Sequence, residues 1–89
     1  MKIKDEFFLK NENGQNIVKS RDGNVANFIV LGNTATLLFE LTKERDCSKN
    51  EMLDYILNNT DVSTVLALSD LNVFIKLMKE NDIFEQEEQ

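Results

Sequence analysis

The chain has 89 residues and a net charge of −6, from 16 acidic and 10 basic residues. This length is enough for one small domain, and the acidic balance argues against binding to nucleic-acid phosphates or to an anionic membrane surface. The sequence has no apolar run that could span a membrane and no signal-peptide core, and its single cysteine, Cys47, cannot form an internal disulfide. We therefore expect a cytoplasmic protein that contacts neither nucleic acid nor membrane.

The first third of the chain predicts three antiparallel strands joined by tight turns. Two Asx-Gly pairs are typical of two-residue hairpin turns, because Asn, Asp and Gly tolerate positive φ; they are Asn13-Gly14 and Asp22-Gly23. The turns separate three apolar runs, residues 7–9, 15–20 and 25–31. This pattern predicts a three-stranded meander, whose third strand could lie at an edge with its outer backbone groups unpaired.

Three helices are predicted after the strands, because the apolar residues then recur with helical spacing. Asn33 or Thr34 can cap the first helix, which is expected to end near residue 45. Ser48 and Glu51 form a capping box that opens the second. The third is expected over residues 65–81, and the apolar pair at residues 83–84 then folds back. The order predicts an α+β domain over residues 1–84, followed by an acidic disordered tail, residues 85–89.

The predicted third helix is apolar over more of its circumference than a small core needs. At about 100° per residue, one broad face carries Leu68, Leu71, Phe74, Ile75 and Met78. A second stripe carries Leu66, Val73 and Leu77, and Asp70 projects between the two. A surface helix usually buries a single stripe. The second stripe therefore indicates either a binding partner or a further contact with the sheet or the first helix.

The sequence lacks the residues that most often build catalytic and metal sites. It contains no histidine, which is the commonest general base and metal ligand. A lone cysteine cannot form a cysteine-rich zinc site. The three glycines, Gly14, Gly23 and Gly32, are isolated and form no phosphate-binding loop. We expect no enzyme activity, no metal and no cofactor.

Residues 31–41 resemble a motif of the PqqD family. The segment Leu-Gly-Asn-Thr-Ala-Thr-Leu-Leu-Phe-Glu-Leu is similar to that family's Leu-Asn-x-Thr-Gly-Ala-x-Ile-Trp-x-Leu, and residues 70–75 are similar to its Asp-Val-x-x-Phe-Leu. The similarity extends from Phe7 to Phe84. The departures are at turns and caps: Gly32 replaces Asn, Ala35 replaces Gly, Phe39 replaces Trp, and Asp82 stands where Gly often ends the helix.

The resemblance implies a winged-helix-like domain that recognises the leader segment of ribosomally made, modified peptides. Such a domain presents the precursor to a separate modifying enzyme, here a radical-SAM enzyme, a cyclodehydratase or a peptidase. In this family the leader adds as a strand to the third strand, beside the third helix. The corresponding peptide-binding residues would be Asn27, Phe28, Ile29 and Val30 on the strand, and Leu66, Asp70, Val73 and Leu77 on the helix. One alternate set of strand side chains must face the core, and the sequence leaves open which.

Two other functions remain open at this point. A winged-helix DNA-binding regulator agrees with the element order, although the third helix carries Asp70 and Glu80 beside Lys76 and Lys79. A small adaptor subunit could instead use the second stripe of the third helix to form a homodimer.

Overall fold

The computed structural model describes residues 1–23 and 28–86, and in them three antiparallel strands precede three helices. The elements are β1 (Phe7–Glu12), β2 (Gln15–Ser20), β3 (Val30–Leu31), α1 (Asn33–Glu44), α2 (Lys49–Asn59) and α3 (Thr64–Glu80). The strand order β1-β2-β3 places β3 at an edge of the sheet. The predicted α+β fold is confirmed.

The first hairpin forms as the sequence predicts. Asn13 and Gly14 adopt φ values of 53° and 79°, the left-handed region that a two-residue hairpin turn requires. Glu12 and Gln15 face each other across this turn, and the pairing continues to Phe7 opposite Ser20.

The second connection differs from the predicted two-residue turn. A turn at Asp22-Gly23 would place Ile17 opposite Phe28, but Ile17 pairs with Val30. The Gly23 N–H donates instead to the Ser20 carbonyl at 3.2 Å, so this turn begins at Ser20, one residue before the Arg21 at which an Asp22-Gly23 hairpin turn would begin. The pairing of β2 with β3 is therefore shifted by two residues from the predicted register. A two-residue shift leaves the same side chains on each face of the strand.

Strand β3 is shorter than the predicted run of residues 25–31. It pairs with β2 only at residues 30–31, and one further bond joins the Val18 N–H to the Ile29 carbonyl at 3.0 Å. Phe28 and Ile29 lie before the strand, while Val25, Ala26 and Asn27 lie outside the described residues.

The helices begin with different kinds of cap. Ser48 and Glu51 form the predicted capping box at α2, and the Ser63 side chain caps α3 by accepting from the Leu66 N–H. The predicted cap of α1 at Asn33 or Thr34 is wrong. The helix begins at Asn33, so Gly32 is its N-cap, and glycine has no side chain that could accept a capping hydrogen bond.

Sheet and helices share one buried cluster. Phe7, Val18, Ile29 and Leu31 from the sheet side pack with buried side chains of all three helices, among them Leu38, Met52 and Phe74. The two ends of the described chain meet over this cluster, where Ile3 pairs with Phe84 in an isolated antiparallel bridge. No helix within residues 1–23 and 28–86 has the length and apolar character needed to cross a membrane.

Candidate functional site

A groove of about 350 Å³ lies between β3, the start of α1 and α3. Residues 30–35 line it from β3 and the start of α1, and α3 supplies Asp70, Val73, Phe74 and Leu77. Three elements that are distant in sequence therefore meet at the open edge of the sheet.

Alternation along the third strand sets which side chains face this edge. Ile29 and Leu31 are 4% and 5% exposed and pack in the core, whereas Phe28 and Val30 are 71% and 40% exposed. The structure thus answers the question that the sequence left open. Because the Ile29 carbonyl also accepts from Val18, both the side chain and the carbonyl of Ile29 are engaged within the domain.

The backbone of Val30 is directed away from β2. In an antiparallel pair, hydrogen-bonded and non-hydrogen-bonded residue pairs alternate. The bond from Val18 to Ile29 makes those two residues a hydrogen-bonded pair, so Ile17 and Val30 form a non-hydrogen-bonded pair. The N–H and C=O of Val30 consequently point to the outer edge of the sheet, where another extended chain could bond to them.

Helical periodicity places the wall of the groove on α3. Leu71, Phe74 and Met78 are buried, and Val73, on the adjoining stripe, is 64% exposed. Leu77 lies between these extremes, half-buried and packed against the core cluster. The face of α3 beside β3 is therefore apolar but accessible.

The eight residues proposed from the sequence divide into four groups. Val30, Asp70, Val73 and Leu77 line the groove together. Phe28 and Leu66 are exposed but lie outside its lining. Ile29 belongs to the core, and Asn27 lies outside the described residues.

The structure adds residues that the sequence did not assign to the site. The start of α1 contributes Gly32, Thr34 and Ala35 to the groove. The sequence did contain a signal for these residues, since the motif that resembles the PqqD family begins at Leu31 and includes them. We interpreted those positions only as a turn and a helix cap, but the structure shows that they also line the groove.

One residue of the predicted core face of α3 is placed differently. Leu68 is 38% exposed, whereas Ala67 is fully buried. Ala67 precedes Leu71 by four residues and Phe74 by seven, so it continues their stripe. A small side chain occupies the buried position near the start of the helix, and the larger leucine lies outside it.

Asp70 is the charged residue of the groove lining. Among residues 30–35 and the four α3 residues of the groove, it alone carries an ionisable side chain. Its carboxylate makes no hydrogen bond or ion pair with any other residue in the described part of the chain. The site thus combines apolar walls, an open strand edge and one carboxylate.

A larger cavity, of about 790 Å³, lies on another side of the molecule beside Met1 and Cys47, but its groups serve the fold. The Met1 amino group bonds to Asp46, and Glu51 pairs with Arg45 at 2.8 Å. Burial raises the pKa of the Cys47 thiol, which is the opposite of what activates a cysteine nucleophile. We therefore place the candidate site at the groove beside β3.

The surface of α3 does not resemble a DNA-recognition surface. Lys76 lies 3.9 Å from Glu80 on the same helix, which offsets its charge. The groove itself presents a carboxylate, and a carboxylate repels phosphate.

Comparison with known proteins gives one informative similarity. No protein-family model and no curated protein matches the sequence. The solved structure of TbiB1 in complex with the TbiA(beta) leader peptide resembles this chain with a TM-score of 0.70, over 100% of both chains and at 17% sequence identity. At this level of identity the similarity shows a shared fold.

Proposed function

We propose that this chain is a non-catalytic protein that binds the leader segment of a ribosomally synthesised precursor peptide. The observation that carries the proposal is the groove beside β3, where the outward backbone of Val30 lies next to the apolar wall of Val73 and Leu77. TbiB1, which shares the fold, has been solved with a leader peptide, and this supports the assignment.

The leader would bind by adding a strand to the sheet. Its backbone would bond to the N–H and C=O of Val30, and these bonds do not depend on the leader's sequence. Alternate side chains of the leader would enter the groove and contact Val73 and Leu77, which supplies sequence preference. Phe28 and Leu66, both exposed, could extend the contact beyond the groove.

The size of the groove fits a presenting role. The α3 wall from Asp70 to Leu77 contains eight residues, and its two ends lie about 10 Å apart along the helix axis, which corresponds to about three residues of extended peptide. Only a short part of a precursor would be held, and the rest would remain accessible to a separate modifying enzyme. A radical-SAM enzyme, a cyclodehydratase or a peptidase would each fit this role.

An NMR titration tests the proposal directly. The isotope-labelled chain is titrated with the leader segment of any short precursor peptide that is found encoded beside its gene. We expect amide shifts concentrated at residues 28–35 and 70–77. The absence of shifts at millimolar peptide, or shifts confined to the cavity beside Met1, would contradict binding at this groove.

A pair of neighbouring substitutions gives a matched test. Val73→Glu places a charge in the groove wall and should abolish leader binding, while the unfolding free energy changes by less than about 1 kcal/mol, as for other exposed positions. Asn72→Glu introduces the same side chain at an exposed position one residue away, outside the groove lining, and should leave the affinity unchanged. Equal loss of affinity in both variants would argue against the groove.

A further inference from the structure

We propose that the groove selects peptides that carry a lysine or arginine close to apolar residues, with Asp70 as the partner of the basic side chain. This inference rests on the proposed function and defines the chemistry of its ligand. It goes beyond strand addition, because strand addition alone requires no particular side chain.

Asp70 has no cation beside it in the described part of the chain. Several acidic residues have a cation nearby: Asp46 bonds to the Met1 amino group, Asp82 lies 3.0 Å from Lys4, and Glu51 lies 2.8 Å from Arg45. Others, such as the exposed Asp54 of α2, have no ion pair among the described residues but lie outside the groove. The Asp70 carboxylate has no such partner within residues 1–23 and 28–86. A bound peptide could therefore supply the missing partner.

Covering the Asp70 carboxylate with an apolar peptide would cost free energy. A peptide strand lying against Val73 and Leu77 would remove water from Asp70, which lies in the same groove. Desolvating a charge is unfavourable unless an opposite charge or hydrogen-bond donors replace the water. An acidic residue at this position would be repelled further by a chain whose net charge is −6. Peptides with a basic residue at this position are therefore favoured by attraction to Asp70. Peptides with an apolar or acidic residue there are disfavoured by desolvation or by charge repulsion.

The spacing of Asp70, Val73 and Leu77 along α3 sets the spacing of the side chains that a bound peptide would need. Along α3, Asp70 precedes Val73 by about 4.5 Å and Leu77 by about 10.5 Å. Side chains on one face of an extended peptide recur about every 6.6 Å. A basic peptide residue that pairs with Asp70 would thus lie two positions along the peptide from an apolar residue that contacts Val73. It would lie two to four positions from an apolar residue that contacts Leu77. The expected ligand motif is a basic residue and an apolar residue with one residue between them, in either order.

A random 12-residue peptide display library, selected against the whole chain, tests this motif even where the natural leader has not been identified. We expect the enriched peptides to share the motif and to perturb the amides of residues 30–35 and 70–77. Replacing the shared lysine or arginine by glutamine should weaken binding about two- to fivefold, the range for a partly exposed ion pair.

Charge reversal supplies the decisive control. Selection against Asp70→Lys should enrich glutamate or aspartate where the native chain enriches lysine or arginine. Asp54→Lys makes the same change at an exposed position of α2, outside the groove, and should enrich the same peptides as the native chain.

The outcomes separate this inference from the proposed function. Enriched peptides that bind the groove without a basic preference would overturn the role of Asp70 and leave peptide binding intact. A basic preference that persists in Asp70→Lys would also overturn it, because the cation would then be recognised elsewhere. If no peptide is enriched, or if all bind outside the groove, both the inference and the proposed function fail.

Discussion

At residue scale, two adjacent residues of α3 have opposite roles. Phe74 is 1% exposed and packs in the core, whereas Val73 is largely exposed beside β3. The centroids of the Phe74 and Phe84 rings lie 5.9 Å apart in an edge-to-face arrangement. Such a contact stabilises the core beyond the burial of the two rings. One residue therefore stabilises the helix against the core, and its neighbour is available to a ligand.

This difference predicts contrasting effects of alanine at the two positions. Phe74→Ala should lower the unfolding free energy by about 3–5 kcal/mol, because it leaves a cavity in the core. Val73→Ala should change it by less than about 0.5 kcal/mol, as is usual for an exposed site. Urea unfolding followed by circular dichroism measures both. A loss above about 1.5 kcal/mol for Val73→Ala would show that the side chain is packed and that the groove is closed.

The residues of the α3 wall were predictable from the sequence, whereas those of β3 were only partly so. A helix has 3.6 residues per turn, so the buried positions Leu71, Phe74 and Met78 also locate the stripe beside them. In the apolar run that includes Phe28, Ile29 and Val30, every position is compatible with either face. The sequence therefore did not show that Ile29 is buried, and only the pairing with β2 decides this.

At the scale of elements, the end of α3 shows why the resemblance includes a glycine there. Asp82 adopts φ 54°, the left-handed conformation, and the Ile83 N–H donates to the Met78 carbonyl at 2.9 Å. The Asp82 N–H donates in turn to the Lys79 carbonyl at 3.2 Å. These two bonds form a Schellman motif, in which glycine is usual because it has no Cβ.

Substitution of Asp82 should reveal this backbone requirement. Asp82→Gly and Asp82→Ala both remove the exposed ion pair with Lys4, but only glycine tolerates the left-handed conformation without strain. We expect the glycine variant to be more stable than the alanine variant by about 1–2 kcal/mol. Thermal or urea unfolding of the two variants measures the difference. Equal stabilities would contradict the left-handed cap.

The capping box of α2 makes stability depend on pH. The backbone N–H of Ser48, together with the Arg45 guanidinium, holds the pKa of Glu51 below its usual 4.5. Because this pKa is depressed on folding, the stability that Glu51 contributes is complete above the usual value and is lost as the pH falls through the lower one.

Glu51→Gln should therefore reduce the fall in stability on acidification. The unfolding free energy of the native chain and of the variant is compared from neutral pH downward through and below the usual glutamate pKa. We expect a shallower decline in the variant, together with lower stability at neutral pH. Parallel curves would show that the carboxylate does not interact with Ser48 and Arg45 in solution.

The strand connections illustrate what local sequence signals can and cannot specify. Asn13-Gly14 predicted its hairpin correctly, because the flanking strands continue directly from the turn. Asp22-Gly23 carried an equally strong signal, yet the β2–β3 register is shifted by two residues from that turn. Since a two-residue shift preserves the buried faces, apolar patterning gives no information on it.

At the scale of the whole molecule, the two ends of the described chain close one side of a small core. The Ile3 N–H donates to the Thr42 carbonyl at 2.9 Å, and the Lys4 N–H donates to the Ile83 carbonyl at 2.9 Å. Ile83 is fully buried and Phe84 nearly so. A domain of this size has a modest stability margin, so contacts between sequence-distant segments contribute a large share of it.

Phe84→Ala tests whether the packing of the two chain ends affects the peptide groove. Phe84 packs on Phe74, which lines the groove, but Phe84 itself lies outside the lining. We expect the variant to lose about 3–5 kcal/mol of stability and to keep the leader affinity of the native chain at a temperature where it remains folded. Calorimetric titration measures the affinity, and urea unfolding measures the stability.

Binding should in turn restore part of the stability that this variant loses. A ligand that binds only the folded chain, at a hundred times its Kd, stabilises it by about 2.7 kcal/mol. Leader peptide should therefore raise the unfolding midpoint of Phe84→Ala as much as that of the native chain, and should not affect Val73→Glu. Weak leader binding by a fully folded Phe84→Ala variant would show instead that the packing of Phe84 against Phe74 shapes the groove. The effect would pass through α3, because this helix contributes Phe74 both to the contact with Phe84 and to the groove lining.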